Sequence, residues 1–220
     1  MNQFDLRGAV FDGPLTLEGE LTTPPDLRSV KAAHHVELSG LTVSLRRIVP
    51  VLPRCLSKLH SVAKDKEDAA RLRRLKEIAE TNRDHRAALR FSADENRGRR
   101  WHETPWLASV LDMGFSFLSD YGQSIWRPTA WLFIVMAGYS ILYWHLSDVV
   151  GADLEHATLL SLGNSLPFLP QSRTLRIEAS EALFCNGLGL WIDIAMVAQG
   201  IASVVLLFLI GLGLRNRFRL

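Results

Sequence analysis

The residues best placed to do chemistry in this chain form a run of eight, GNSLPFLP, at positions 163–170. Gly163 can stop the apolar stretch before it, and Pro167 and Pro170 keep a helix from resuming. Irregular backbone leaves amide and carbonyl groups unpaired. At membrane depth it is tolerated only when buried in protein or lining water, so the elements around the run decide what it does. Asp193, Gln199 and Ser203 are the other polar positions of interest. One Asp193 from each of several subunits would form an acidic ring at an outer mouth and concentrate cations. The same residue also suits the first turn of a helix, where the dipole favours an acid. Gln199 and Ser203 share a helical face, from which they either bond a neighbouring helix or face a pore.

Other chemistry is excluded on inspection. No P-loop, GxSxG, HExxH or dinucleotide fingerprint is present. No catalytic residue and no cofactor are therefore expected, and the chain reads as a non-enzyme. His34, His35 and Glu37 invite a metal reading. Adjacent strand residues point to opposite faces, so no shared metal ion is expected there. Cys55 and Cys185 lie too far apart in sequence for a small disulfide scaffold. Cys185 falls on the external side of the topology below, where pairing across subunits stays open. His145 and His156 flank that outer surface, either as interfacial residues or as groups that tune gating by pH.

The elements that must hold these residues are membrane spans. Apolar residues make up 48% of the chain, which excludes whole-chain disorder. Of 25 Lys and Arg and 23 Asp and Glu, only five and six fall in 128–220. Residues 128–146, PTAWLFIVMAGYSILYWHL, and 194–214, IAMVAQGIASVVLLFLIGLGL, carry no formal charge. Nineteen residues at ~1.5 Å rise cover roughly 28 Å, close to the hydrocarbon thickness. Trp126, Arg127 and Trp191 anchor the interfaces, and Arg215, Arg217 and Arg219 follow the second span. The connecting loop holds five acids and two bases, so both termini are expected to be cytoplasmic. The start, MNQFDLRG, has no signal-peptide pattern and is expected to begin in the cytoplasm.

Thirty-six residues separate the spans, far more than a plain hairpin needs. Residues 154–162, LEHATLLSL, predict a short helix with Asp153 as N-cap. At nine residues it cannot cross a bilayer. It either dips in and returns, or lies outside as a cap. Before the first span, Trp106, Leu107, Val110, Leu111, Gly114, Phe117, Leu118, Tyr121 and Ile125 recur at three- and four-residue spacing. This predicts an amphipathic interfacial helix over 105–127. It either couples the cytoplasmic part to the spans or anchors it passively. Further upstream, 65–101 predicts a helical hairpin, with Asp84 capping its second helix. Its many arginines are interleaved with acids, so a solvated face with an anionic-lipid contact near Arg99 and Arg100 is expected, and no nucleic acid.

Three family resemblances bear on these pieces. Span, short helix, irregular loop, span is an order that resembles the pore module of two-span cation channels. The likeness implies that the short helix aims its negative dipole end at an axis, with Gly163, Asn164 and Ser165 lining a constriction. A TVGYG-type filter is absent, so potassium selectivity does not carry over. FDLRG (4–8), AVFDG (9–13), VELSG (36–40) and LTVSL (41–45) resemble pentapeptide repeats. That family's β-helix implies inward pairs Phe4 with Leu6, Ala9 with Phe11, Val36 with Leu38, and Leu41 with Val43. Ordinary strands with glycine turns are the other reading. Finally, LSDYGQSIWRP and LRNRFRL make the chain similar to the C-terminal region of bacterial pentapeptide-repeat membrane proteins, described as ion-channel-like.

The expected fold is a mainly α membrane protein. Residues 1–50 form a short β, pentapeptide-repeat-like region, 51–104 a cytoplasmic helical hairpin and 105–127 the interfacial helix. Residues 128–146 are the first span, 147–182 an external loop with a re-entrant segment at 154–170, 183–214 the second span and 215–220 a basic tail. The expected function is a homo-oligomeric cation channel of a bacterial inner membrane, passing monovalent cations, in contact with lipid and regulated from the cytoplasm. The alternative is a non-conducting anchor that presents its cytoplasmic module to a protein partner.

Overall fold

The computed structural model describes residues 4–32, 35–45, 47–48, 62–149, 153–185, 187 and 189–218. His34, Cys55 and Arg219 lie outside the described residues. The chain divides into two compact units, Met1–Tyr121 with Arg219–Leu220, and Gly122–Phe218. Among the described residues the fold is mainly helical, with a few short strands near the N-terminus.

In the first unit, three short strands β1 (Val10–Phe11), β2 (Leu15–Thr16) and β3 (Gly19–Leu21) are each paired in parallel by a later one. These are β4 (Lys31–Ala32), β5 (Val36–Glu37) and β6 (Leu41–Val43). A parallel bridge, Asp5 to Asp26, adds a fourth contact. The registers Val10↔Lys31, Leu15↔Val36 and Gly19↔Leu41 make the second stretch retrace the first. Alternation puts every second side chain inward. Val36, Leu38 and Leu41 are buried and Leu6, Phe11 and Val43 pack beside them. Phe4 is a correction: it is 49% exposed and does not join this core. An antiparallel pair, β7 (Arg47–Ile48) with β8 (Val62–Ala63), follows.

Two turns of such a coil cannot close a core alone, because each needs a neighbour to cover its open face. The helical hairpin supplies the cover. Helices α1 (Asp68–Thr81) and α2 (His85–Arg99) send Leu72, Leu75, Ala79, Ala87 and Phe91 into the same apolar cluster. Asp84 caps α2 as its sequence predicts, its side chain accepting from Ala87 N–H at 3.0 Å. The hairpin is tied to the coil by Asn82, which donates to the Val36 carbonyl, and by Arg90, which donates to Ser39 O at 2.9 Å.

A charged cluster around Arg71 is buried in this unit. Arg71 pairs with Asp68 at 2.9 Å and Asp65 at 2.8 Å, with Asp26 at 3.7 Å. Burial, and the Asp65 charge beside it, push the Asp68 carboxyl up to about 6 against the pull of Arg71. A raised folded value means the native state prefers protonated Asp68. Its stabilising contribution is complete below the unfolded value near 3.9 and is lost as pH rises through about 6. Asp68→Asn removes this loss. The variant should gain on the wild type from pH 4 to 6 and hold its advantage at pH 7, read from thermal unfolding at each pH.

Helix α3 (Trp106–Ser119) is shorter than the expected 105–127. It ends because Asp120 and Tyr121 adopt left-handed backbone, φ 52° and 57°, followed by Gly122 at 74°. Side chains at Trp106, Leu107, Val110, Leu111 and Phe117 are exposed, so its apolar face is uncovered.

Among the described residues the second unit contains four helices: α4 (Trp126–Leu146), α5 (Leu154–Ser165), α6 (Ser172–Leu183) and α7 (Leu190–Phe218). Helices α4 and α7 are long and apolar enough to cross a membrane. The second starts at Leu190, which corrects the expected span of 183–214. Residues up to Leu183 belong to the separate helix α6. In its sequence, SRTLRIEASEAL, Arg173, Glu178 and Glu181 are exposed, while Ala179 and Leu183 are packed and Arg176 is half-buried beside Gly163.

Candidate functional site

Helix α5 packs against α4, α6 and α7. Its apolar positions Ala157 and Leu160 meet Tyr143, Ala179, Leu183, Phe184 and Ile192 in one cluster. The helix does not stop at Gly163. It runs through Ser165, its end marked by the Leu166 N–H donating to Leu162 O at 3.1 Å. Glycine costs a helix only about 1 kcal/mol, and here close packing offsets it. A Cβ on Gly163 would meet Ser172 O and Arg176 Cγ at 3.0 Å. Asp153 holds the N-cap position of α5, but its side chain makes no capping bond.

Gly163, Asn164 and Ser165 are therefore corrected as an irregular constriction. All three are buried in the last turn of α5, and the polar side chains are engaged inside one chain. Gln199 of α7 is the hub. Its Nε2 donates to Ser161 O at 3.0 Å, Ser161 Oγ at 2.7 Å and Ser165 Oγ at 2.9 Å. Its Oε1 accepts from Tyr143 O–H at 2.7 Å and Asn164 Nδ2 at 3.1 Å. Asn164 Nδ2 also donates to Met196 O at 2.6 Å, and Ser161 Oγ to Met136 O at 2.8 Å. Of the two roles open to Gln199, bonding between helices is the one it fills. Ser203, one turn on, is fully buried, so it too faces protein rather than a lumen of this unit. Tyr143 and Ser161, essential partners of the hub, escaped sequence reasoning. Their signal was only a tyrosine in a span and a serine in a short apolar helix.

The hub also sets a height. Met136 lies ten residues before the end of α4, and Gln199 nine residues after the start of α7. At ~1.5 Å per residue both are roughly 14–15 Å from the end of the helix that faces the connecting loop. The last turn of α5 is thus about half-way along α4 and about a third of the way along α7. Helix α6 then climbs back: the Leu183 carbonyl accepts from Ser147 Oγ at 2.8 Å and from Asp148 N–H at 3.2 Å, just past the end of α4. The turn between them, residues 166–171, is tied by Ser172 Oγ donating to Leu169 O at 2.8 Å. Helices α5 and α6 therefore form a hairpin, and the C-terminal dipole of one is set against the N-terminal dipole of the other. The expected dipole preference for cations at this point is opposed.

The remaining expected positions are exposed. Asp193 sits in the first turn of α7. Trp126 is 78% and Trp191 79% exposed, and Arg127, Arg215 and Arg217 are exposed at helix ends. Cys185 is a free, exposed thiol. Among the described residues no group of His, Cys, Asp and Glu is arranged to hold a metal ion. In the first unit, Arg71, Arg73, Arg74, Arg97, Arg99 and Arg100 are all engaged with carboxylates.

No family model, curated protein or solved structure matches this chain.

Proposed function

We propose that several copies of this chain ring an aqueous ion path through a bacterial inner membrane, with the N-terminal unit as its cytoplasmic regulatory part. One observation carries the reading: the α5–α6 hairpin reaches half-way along α4 and a third of the way along α7, and brings charged side chains with it. Arg173 and Glu178 on α6 are exposed. A lipid-facing arginine at mid-depth costs about 2.5–3.5 kcal/mol on the insertion scale. Water shared between copies removes that cost, and two spans cannot enclose such water alone. The outer faces of α4 and α7 fit lipid, with Phe133, Ile134, Val197, Ile201 and Phe208 exposed.

The same reading places both termini in the cytoplasm, with α3 laying its uncovered apolar face on the inner membrane surface. The parallel pairing 21 or 22 positions apart supports a two-coil, pentapeptide-like solenoid closed by the helical hairpin. The narrowest level falls at the turn 166–171 and the start of α6, not at 163–165. The full chain reconstituted in lipid nanodiscs should have the mass of a ring of at least three copies, and proteoliposomes should release trapped salt. A monomer in nanodiscs with silent vesicles overturns the proposal. A second reading, a membrane anchor for a cytoplasmic partner, draws on the separate core of the N-terminal unit. It requires those vesicles to stay silent while the full chain captures a soluble protein partner.

A further inference from the structure

We infer that the ion admitted at the deepest level is an anion, received by Arg173 and Arg176. This rests on the pore reading above. Every ion pair among the described residues belongs to the first unit. Arg173 and Arg176 thus enter the membrane-depth hairpin with no carboxylate partner among the described residues. Arg176 packs its stem against Gly163, in the space a side chain there would fill. Its Nε is buried and makes no hydrogen bond among the described residues. A guanidinium stays charged at any accessible pH and has donors to spare. At this depth each unpaired one needs water and a counter-charge.

Other copies do not supply that counter-charge at the level of Arg173. In a ring about an axis normal to the membrane, each residue recurs at one height. The acids of α6, Glu178 and Glu181, are five and eight residues past Arg173, or roughly 7.5 and 12 Å nearer the outer end, and two and five residues past Arg176, or roughly 3 and 7.5 Å. The Arg173 level is therefore the one at which α6 brings a cation and no acid, one per copy, with Arg176 one turn above it. Cations gathered by the outer acids meet a positive barrier there, whereas a small anion such as chloride finds its binding charge.

The test uses the full chain in planar bilayers under a potassium chloride gradient. The wild type should reverse close to the chloride equilibrium potential. The double variant Arg173→Gln with Arg176→Gln should lose about tenfold in chloride over potassium permeability, and the Arg173→Lys, Arg176→Lys variant should keep most of it. Wild-type reversal near the potassium potential overturns this inference and leaves the pore reading standing. Chloride selectivity that survives both glutamines overturns the assignment to these arginines. An intact oligomer that passes neither ion overturns the pore reading itself, and this inference with it.

Discussion

Gln199→Leu should destabilise the helical membrane unit by about 3 kcal/mol, the largest effect of any single substitution there. The leucine fills much the same volume, so the loss is polar. Ser165 gives up its Gln199 partner and is fully buried, while Tyr143 loses Gln199 and keeps a hydrogen bond to Asn164. Asn164 and Ser161 retain the Met196 and Met136 carbonyls. An unsatisfied buried donor or acceptor costs ~1–3 kcal/mol, and hydrogen bonds between membrane helices average ~0.6 kcal/mol. One orphaned hydroxyl plus the lost ties to Ser161, Asn164 and Tyr143 give the sum. Tyr143→Phe removes one arm of the network and should cost about 1 kcal/mol. The double variant should cost less than the two single losses together, because the Tyr143–Gln199 hydrogen bond is lost in each single variant and only once in the double. Thermal unfolding of the detergent-solubilised chain measures all three. A Gln199→Leu protein that melts with the wild type would mean that α5 is held by apolar contact alone.

The long helices were legible because their signal is local: an uncharged run is read without knowing any neighbour. Asp84 was legible for the same reason, since a cap is satisfied three residues away. The extent of α5 was not. Gly163 looks like a stop because its cost is intrinsic, whereas its reward, the close approach of α6, is tertiary. The polar hub failed for a related reason. Asn164 and Ser165 beside prolines resemble a loop that offers oxygens to an ion. Only the three-dimensional arrangement shows that Gln199, thirty-five residues on, has claimed them. Helix α6 was hidden by its charge, which reads as an external loop until its partners fix its height.

In the first unit the corresponding prediction concerns Arg100, which is 3% exposed. Its Nε donates to Asp112 Oδ2 at 2.8 Å, and its Nη2 lies 2.7 Å from the same oxygen. That Nη2 also donates to the Tyr121 hydroxyl at 2.8 Å, and Tyr121 O–H in turn donates to Asp112 Oδ2 at 2.8 Å. The Arg97 guanidinium lies 5.2 Å over the Tyr121 ring, and Arg97 pairs with Asp120. This cage holds two non-glycine residues in left-handed backbone, a conformation that costs each about 1–2 kcal/mol. Burial pushes the Tyr121 hydroxyl up to about 12, so it remains protonated and donating throughout the physiological range. Arg100→Met leaves the Asp112 carboxylate without its cation and removes the tie that offsets the strain. The expected loss is 3–5 kcal/mol, the range for breaking a buried ion pair from one side. Arg100→Lys keeps the charge but cannot reach both partners with a fork, so it should fall between wild type and methionine. Adding Asp112→Asn to Arg100→Met should recover part of the loss, because the uncompensated charge is then gone. If the methionine variant unfolds with the wild type, the left-handed turn at Asp120 and Tyr121 holds itself, and the arginine cage is incidental to it.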